Sequence, residues 1–398
     1  MTHGITKPPT EESSEQGQRP ALTRLPSLTG LRFPAAFLVF LSHVGLALPQ
    51  LRLLKSDGAA SDLAKFTENA GALGVAFFFV LSGFVLTWSA RTKDTAPAFW
   101  RRRFVKIYPN YVLAWALALI LFASTYTPTR VAIANVLMVQ VWKPDFAYMY
   151  SVNPVSWSLA CELIFYLSFP LLHRLFVRIR DEHLKYWIAG VTAAIILTPW
   201  FTYTFIAGNG TQMTSDQTSS AGDASVMQYW VAVFLPPVRL LDFALGMLVA
   251  QAVMRGRWRN IGLIWSTFLV AVSWWVSQNV DMLYAKRSVS IIPIALLIAA
   301  AATKDVRGEF TIFRNRAMVW LGEVSFAFYM CHFLVLQYGR KLLGHDLYSI
   351  PQTVGLEIML TAIAVLFSWM VYAVLERPVY RLFATSRKAR AERAGATV

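Results

Sequence analysis

Charged or titratable side chains fall inside stretches apolar enough to enter a membrane, among them Arg32, His43, Glu162, Arg239, Asp242, Glu323, His332, Glu357 and Glu376. A charge in a bilayer is costly, so such residues face a protein interior or a cavity. In LTGLRFPAAFLVFLSH (28–43), Arg32 and His43 are eleven residues apart. Eleven helical steps overshoot three full turns by about 20°, so the two share one face, roughly 16 Å apart along the axis. An imidazole can take a proton near neutral pH and return it, which makes His43 a candidate general base. Arg32 suits an anion, or a carboxylate from another helix. Glu162 stands mid-segment in VSWSLACELIFYLSFP (155–170), beside Trp157 and Tyr166, and needs a cation or a shared proton there. In LGEVSFAFYMCH (321–332), Ser325, Tyr329 and His332 fall at i, i+4 and i+7 on one helix face. Arg239 and Asp242, three apart, read as an internal ion pair. Glu357, near a helix start, reads as reaching the interface. Glu376, followed by Arg377, suits either a structural pair or chemistry.

Two more stretches carry a double meaning. GVAFFFVLSGFVLTW (74–88) places Ser82 and Gly83 inside an aromatic run. Such a pair permits close backbone approach, either to another helix or to a slender ligand. FWRRRFVKIYP (99–109) gathers Arg101, Arg102, Arg103 and Lys106 among aromatic residues. The cluster suits phosphate groups, and equally suits anchoring a helix end.

The elements that position these residues follow from the apolar blocks. The chain has 398 residues, 56% hydrophobic and only 15% charged, with a mean hydropathy of +0.47. A soluble chain of this length carries about a quarter charged residues, so the fold class is an all-α integral membrane protein. Ten helices are predicted, over 28–48, 71–90, 108–124, 155–176, 187–206, 235–254, 261–278, 288–302, 317–339 and 353–376, the eighth being short for a bilayer of about 30 Å. VAIANVLMVQVW (131–142) is too short to span and reads as interfacial or re-entrant. With the N-terminus inside, the inner segments hold 26 Lys and Arg against 9 in the outer loops. That asymmetry predicts both termini in the cytoplasm and the loop 207–227 outside. It also accounts for the net charge of +15 without nucleic acid. Residues 1–27 read as a disordered cytoplasmic tail, 28–380 as the membrane domain and 381–398 as a basic cytoplasmic tail. The first apolar block is too long for a signal-peptide core. Cys161 and Cys331 offer neither a disulfide framework nor a zinc pattern. The same intramembrane residues would serve a proton-coupled transporter, but no internal repeat is evident. A protein that flips or organises a glycan without chemistry is the other class.

Taken together, the motifs resemble the acyltransferase-3 family of integral membrane O-acyltransferases, from about residue 25 to 385. The family's R-x10-H pattern matches Arg32 and His43, and its FFVLSGF-like helix matches Phe78 to Phe84. Its basic RR-x-x-R-I-x-P pattern is RRFVKIYP (102–109), with Lys106 in place of the second arginine, and its W-S-L-x-x-E-x-x-F-Y signature runs from Trp157 to Tyr166. LGEVSFAFYMCH matches a further signature, with Phe326 where tyrosine is common. The closing Y-x-x-x-E-x-P matches Tyr372, Glu376 and Pro378. The resemblance implies transfer of a short acyl group from acyl-CoA to a hydroxyl of a sugar-containing acceptor in a bacterial plasma membrane. His43 would be general base, with Glu162 steadying it or moving protons. Arg32, Arg102, Arg103 and Lys106 would hold the donor. Ser82, Trp157, Tyr166, Ser325, Tyr329, His332 and Glu376 would line the substrate site, His332 acting mainly through packing or substrate placement. No permanently bound cofactor or metal is expected. No appended extracytoplasmic domain follows, so a stand-alone form is expected, and LPSLTGLRF resembles members that acylate macrolide antibiotics. Members acetylating envelope glycans are the alternative.

Overall fold

The computed structural model describes residues 24–46, 51–91, 94–214, 223–344 and 346–384. Among these residues the protein is an all-α bundle, with only isolated bridges such as Leu54 to Tyr348. Ten apolar helices run through it: α1 (Pro26–Val44), α2 (Asp57–Trp88), α3 (Ala96–Leu121), α4 (Trp157–Val177), α5 (Leu184–Phe205), α6 (Pro236–Met254), α7 (Leu263–Ser277), α8 (Ile291–Val306), α9 (Arg316–Leu343) and α10 (Ile350–Val371). Nine, taken with their flanking turns, are long and apolar enough to cross a membrane, and the shorter one is α7. Large apolar side chains stay exposed along α5, α7 and α10, including Leu197, Phe201, Trp265, Phe268, Ile358, Ile363 and Trp369. A helix face of this kind is at home against lipid.

Several expected boundaries move. The short span is the seventh rather than the eighth, because Met282–Arg287 extends the eighth into one apolar stretch, Met282–Val306. Helix α1 begins at Pro26, so Ser27 belongs to the helix and not to a tail. The α2 helix begins at Asp57, where the Ser56 side chain accepts from Ala59 N. Its first turns are charged, which hid them from a hydropathy reading. The 131–142 segment breaks into Thr129–Val136 and a 3-10 turn, Gln140–Trp142, and does not span. A last helix, Arg377–Phe383, carries the chain past 381. The tails up to 23 and from 385, and positions 215–222 of the loop 207–227, lie outside the described residues.

Two backbone contacts fix the core. Gly83 of α2 and Gly246 of α6 face each other so closely that a Cβ on either would lie 1.9 Å from a carbonyl oxygen, Phe243 O or Val80 O. At the N-terminal end of α1 a Cβ on Gly30 would meet Phe313 O at 1.9 Å, and one on Gly322 of α9 would meet Thr29 O at 1.9 Å. Only glycine lets the helices approach this far. The Asp305 carboxylate then caps α1, accepting from Ser27 N at 2.8 Å and Ser27 Oγ at 2.7 Å, where the helix dipole favours negative charge. Helix α1 is thus held between α2 and α9.

Candidate active site

Between α1, α2, α3, α4 and α9 lies an inner cavity of about 130 Å³. Its polar lining is Arg32, Ser82, Arg103, Lys106, Ser158, Glu162, Tyr166, Glu323, Ser325 and Tyr329, set against Phe78, Phe79 and Phe326. The Ser-Gly pair divides its labour: Gly83 meets α6, while Ser82 reaches the cavity. Glu162 accepts from Tyr166 Oη at 2.7 Å, and Tyr329 Oη shares a proton with Ser158 Oγ at 2.7 Å. Ser325 Oγ turns back to Gly322 O at 2.7 Å.

A second cavity, about 410 Å³, opens at the α1 N-terminal end of the bundle. Arg91, Arg102, Arg103, His173, Arg174, Asp94 and Tyr380 line it, with a stack of flat rings in which Phe99 and Phe169 are 4.7 Å apart and Phe169 and His173 are 5.3 Å apart. The two cavities share Leu86 and Arg103 at their junction. Not every cation of the basic motif is available. Asp94 accepts from both terminal nitrogens of Arg102. Lys106 is paired with Glu376, which also accepts from Asn110 Nδ2 at 2.5 Å. Glu376 belongs to a π-helical turn, Tyr372–Glu376, that points it at α3, and it is not part of the cavity wall. Arg91, Arg103 and Arg174 form no ion pair among the described residues. Arg103 instead lies 5.8 Å from the Phe99 ring centroid.

The inner cavity stops at Phe78 and Tyr329, whose rings are 5.7 Å apart, and the histidines form the next layer. His43 and His332 are 5.2 Å apart between ring centroids, with His332 Nε2 3.3 Å from His43 Nδ1. His43 Nδ1 is also 2.7 Å from Val39 O, and His332 Nδ1 is 3.0 Å from Phe328 O. The titratable side chain beside His43 is therefore His332 and not Glu162, which stays in the cavity with Tyr166. Trp157 lies behind the wall, packed on Phe234 at 4.4 Å and Phe79 at 6.3 Å. Glu323, Phe78, Asp94 and Asn110 belong to the site or its frame and were missed as site residues. Asn110, a buried amide in an apolar run, was the one sequence signal for the Glu376 contact.

The Arg239–Asp242 pair is present at 3.3 Å and gains a third member, Arg287, from before α8. All three are fully buried.

A polytopic α-helical bundle with a basic vestibule, a narrow polar cavity and a buried histidine pair has the parts of a membrane group-transfer enzyme. The chain belongs to the acyltransferase-3 family: residues 25–373 match the model of its acyltransferase domain. It is similar to acyltransferase MdmB of Streptomyces mycarofaciens, at 38% identity over 380 residues, covering 92% of this chain and 95% of that protein. It is also similar to O-acetyltransferase OatA of Staphylococcus aureus (strain NCTC 8325 / PS 47), at 25% identity over 338 residues, 78% of this chain and 53% of that one. A putative acetyltransferase, ORF330 of Acidianus two-tailed virus, is 23% identical over 281 residues, 69% of this chain and 74% of its own length. No solved structure matches. The protein is a multi-pass membrane O-acyltransferase.

Proposed function

We propose that this enzyme moves a short acyl group from acyl-CoA, bound from the cytoplasmic side, to a hydroxyl of a macrolide-type antibiotic, with His43 as general base. The observation that carries the donor reading is the pair of joined cavities. A wide mouth with three cations that form no ion pair among the described residues suits a phosphorylated nucleotide. The narrow inner cavity suits the slender arm that carries a thioester, and Arg103 stands where the two meet. The mouth opens at the end of the bundle that the 26-to-9 distribution of Lys and Arg assigns to the cytoplasm. The macrolide reading rests on the resemblance of LPSLTGLRF to antibiotic-acylating members.

The chemistry balances with this chain's own residues. His43 Nε2 removes the proton of the acceptor hydroxyl as its oxygen attacks the thioester carbon. The carbon–sulfur bond breaks, and the departing thiolate takes the proton back from His43. Arg32 and the cavity hydroxyls lie along the donor's path, where they can orient the thioester. Phe78 and Tyr329 must let the acyl end pass to reach the histidine layer.

The test is transfer by detergent-purified protein supplied with acyl-labelled acyl-CoA and either a macrolide or peptidoglycan fragments. A labelled macrolide ester with release of one free CoA per ester is expected. Label on the glycan alone would replace the acceptor, and no consumption of any acyl-CoA would remove the donor.

A further inference from the structure

His332 lies outside the inner cavity, is fully buried, and touches the proposed base directly. The hydrogen positions of the pair follow from its partners. A backbone carbonyl can only accept, so both Nδ1 atoms, His43's at 2.7 Å from Val39 O and His332's at 3.0 Å from Phe328 O, carry hydrogen. The hydrogen on His43 Nδ1 then lies between Val39 O and His332 Nε2, 3.3 Å away. A hydrogen on His332 Nε2 would face it head-on, so that nitrogen is bare and His332 is neutral. His43 Nε2 makes no hydrogen bond among the described residues, which leaves it as the basic atom.

We infer that His332 is a positioning residue for His43: it accepts the Nδ1 hydrogen, fixes the ring with Nε2 toward the acceptor, and steadies the imidazolium that forms when the proton arrives. This rests on the reading of His43 as base. In triad hydrolases a carboxylate orients the histidine; here a neutral imidazole takes that place, so no charge has to be buried beside the base. The rest of the structure supports the assignment. Phe40, Phe328 and Tyr329 surround the His332 ring at 5.9, 5.6 and 6.1 Å, leaving it one orientation. The contact of Gly322 with Thr29 draws α1 and α9, the two helices that carry the histidines, close together.

The test compares His332→Phe, which keeps a flat ring and removes the acceptor, with His332→Gln, whose amide oxygen can replace Nε2. Acyl transfer is measured on protein that still binds acyl-CoA. His332→Phe should lower kcat by roughly 10- to 100-fold, the range of a hydrogen bond to a charged group, with KM for acyl-CoA unchanged. His332→Gln should recover most of that loss. Adding His332→Phe to His43→Gln should cost nothing further, because the residue acts through His43. In 15N spectra of histidine-labelled protein, His43 should be a single Nδ1–H tautomer in the wild type and a mixture in His332→Phe. A His332→Phe enzyme with wild-type kcat, a Gln variant no better than Phe, or an equal loss in the His43→Gln background would overturn the assignment. Full activity of His43→Gln alone would instead bring down the general-base reading, and this inference with it. If His332→Phe fails to fold, His332→Leu against His332→Gln gives the same comparison.

Discussion

Two groups of arginine share the bundle and have opposite surroundings. Arg239 and Arg287 close on Asp242, with Arg239 also 4.8 Å from the Phe79 ring centroid, and none of the three lines either of the two cavities described above. Arg32 and Arg103 line open space, near a glutamate that is bonded to a tyrosine instead. Both groups sit among aromatic rings in apolar helices, so residue type does not separate them. What separates them is whether a carboxylate is already paired with the cation. A paired cation is held within the protein, and one without an ion pair among the described residues, beside a cavity, is available to a ligand. The basic motif divides by the same rule: Arg102 and Lys106 are paired, with Asp94 and Glu376, whereas Arg103 is not.

The largest effect that could break this comparison lies in the closed group. Asp242→Asn leaves two buried guanidiniums without a counter-charge, a change that costs about 3–5 kcal/mol. Loss of folded protein in thermal unfolding is expected, with normal turnover per folded molecule in whatever survives. A stable but inactive Asp242→Asn would move this group into the catalytic machinery. Next is Arg103→Ala, expected to raise KM for acyl-CoA about 10- to 100-fold with little change for the acceptor. A shift in the acceptor KM alone would take Arg103 out of the donor site. Lys106→Met should destabilise the protein by a few kcal/mol, because Glu376 is left buried and short of a cation. Lys106→Arg should be tolerated, since charge is retained. The smallest effect is that of Asp94→Asn. It frees Arg102 toward the vestibule and should lower KM for acyl-CoA about two- to fivefold, the worth of a partly exposed pair. A rise in KM would mean that Asp94 itself positions the donor.

Much of the site was legible because helical periodicity is local. The Arg32–His43 spacing, the Ser325–Tyr329–His332 face and the Arg239–Asp242 pair follow from chain neighbours, and all are realised as shared helix faces. What could not be read was which faces meet. His43 and His332 are 289 positions apart, and their contact depends on glycine seams whose partners no single helix reveals. The same is true of Glu376, which a π-helical turn redirects onto α3, and of Arg287, which reaches Asp242 from a short helix outside the regular spans. Helix starts were missed where polar first turns, as at Asp57 in α2, project beyond the apolar block.

The central claim is that His43 carries the proton. His43→Gln keeps hydrogen-bonding capacity but cannot accept a proton and return it. In detergent-purified protein normalised to acyl-CoA binding, turnover should fall by about 10²–10⁴-fold, the usual contribution of general-base catalysis, with KM for acyl-CoA nearly unchanged. Turnover within a few-fold of the wild type would contradict the account and leave the His43–His332 pair as a packing contact between α1 and α9.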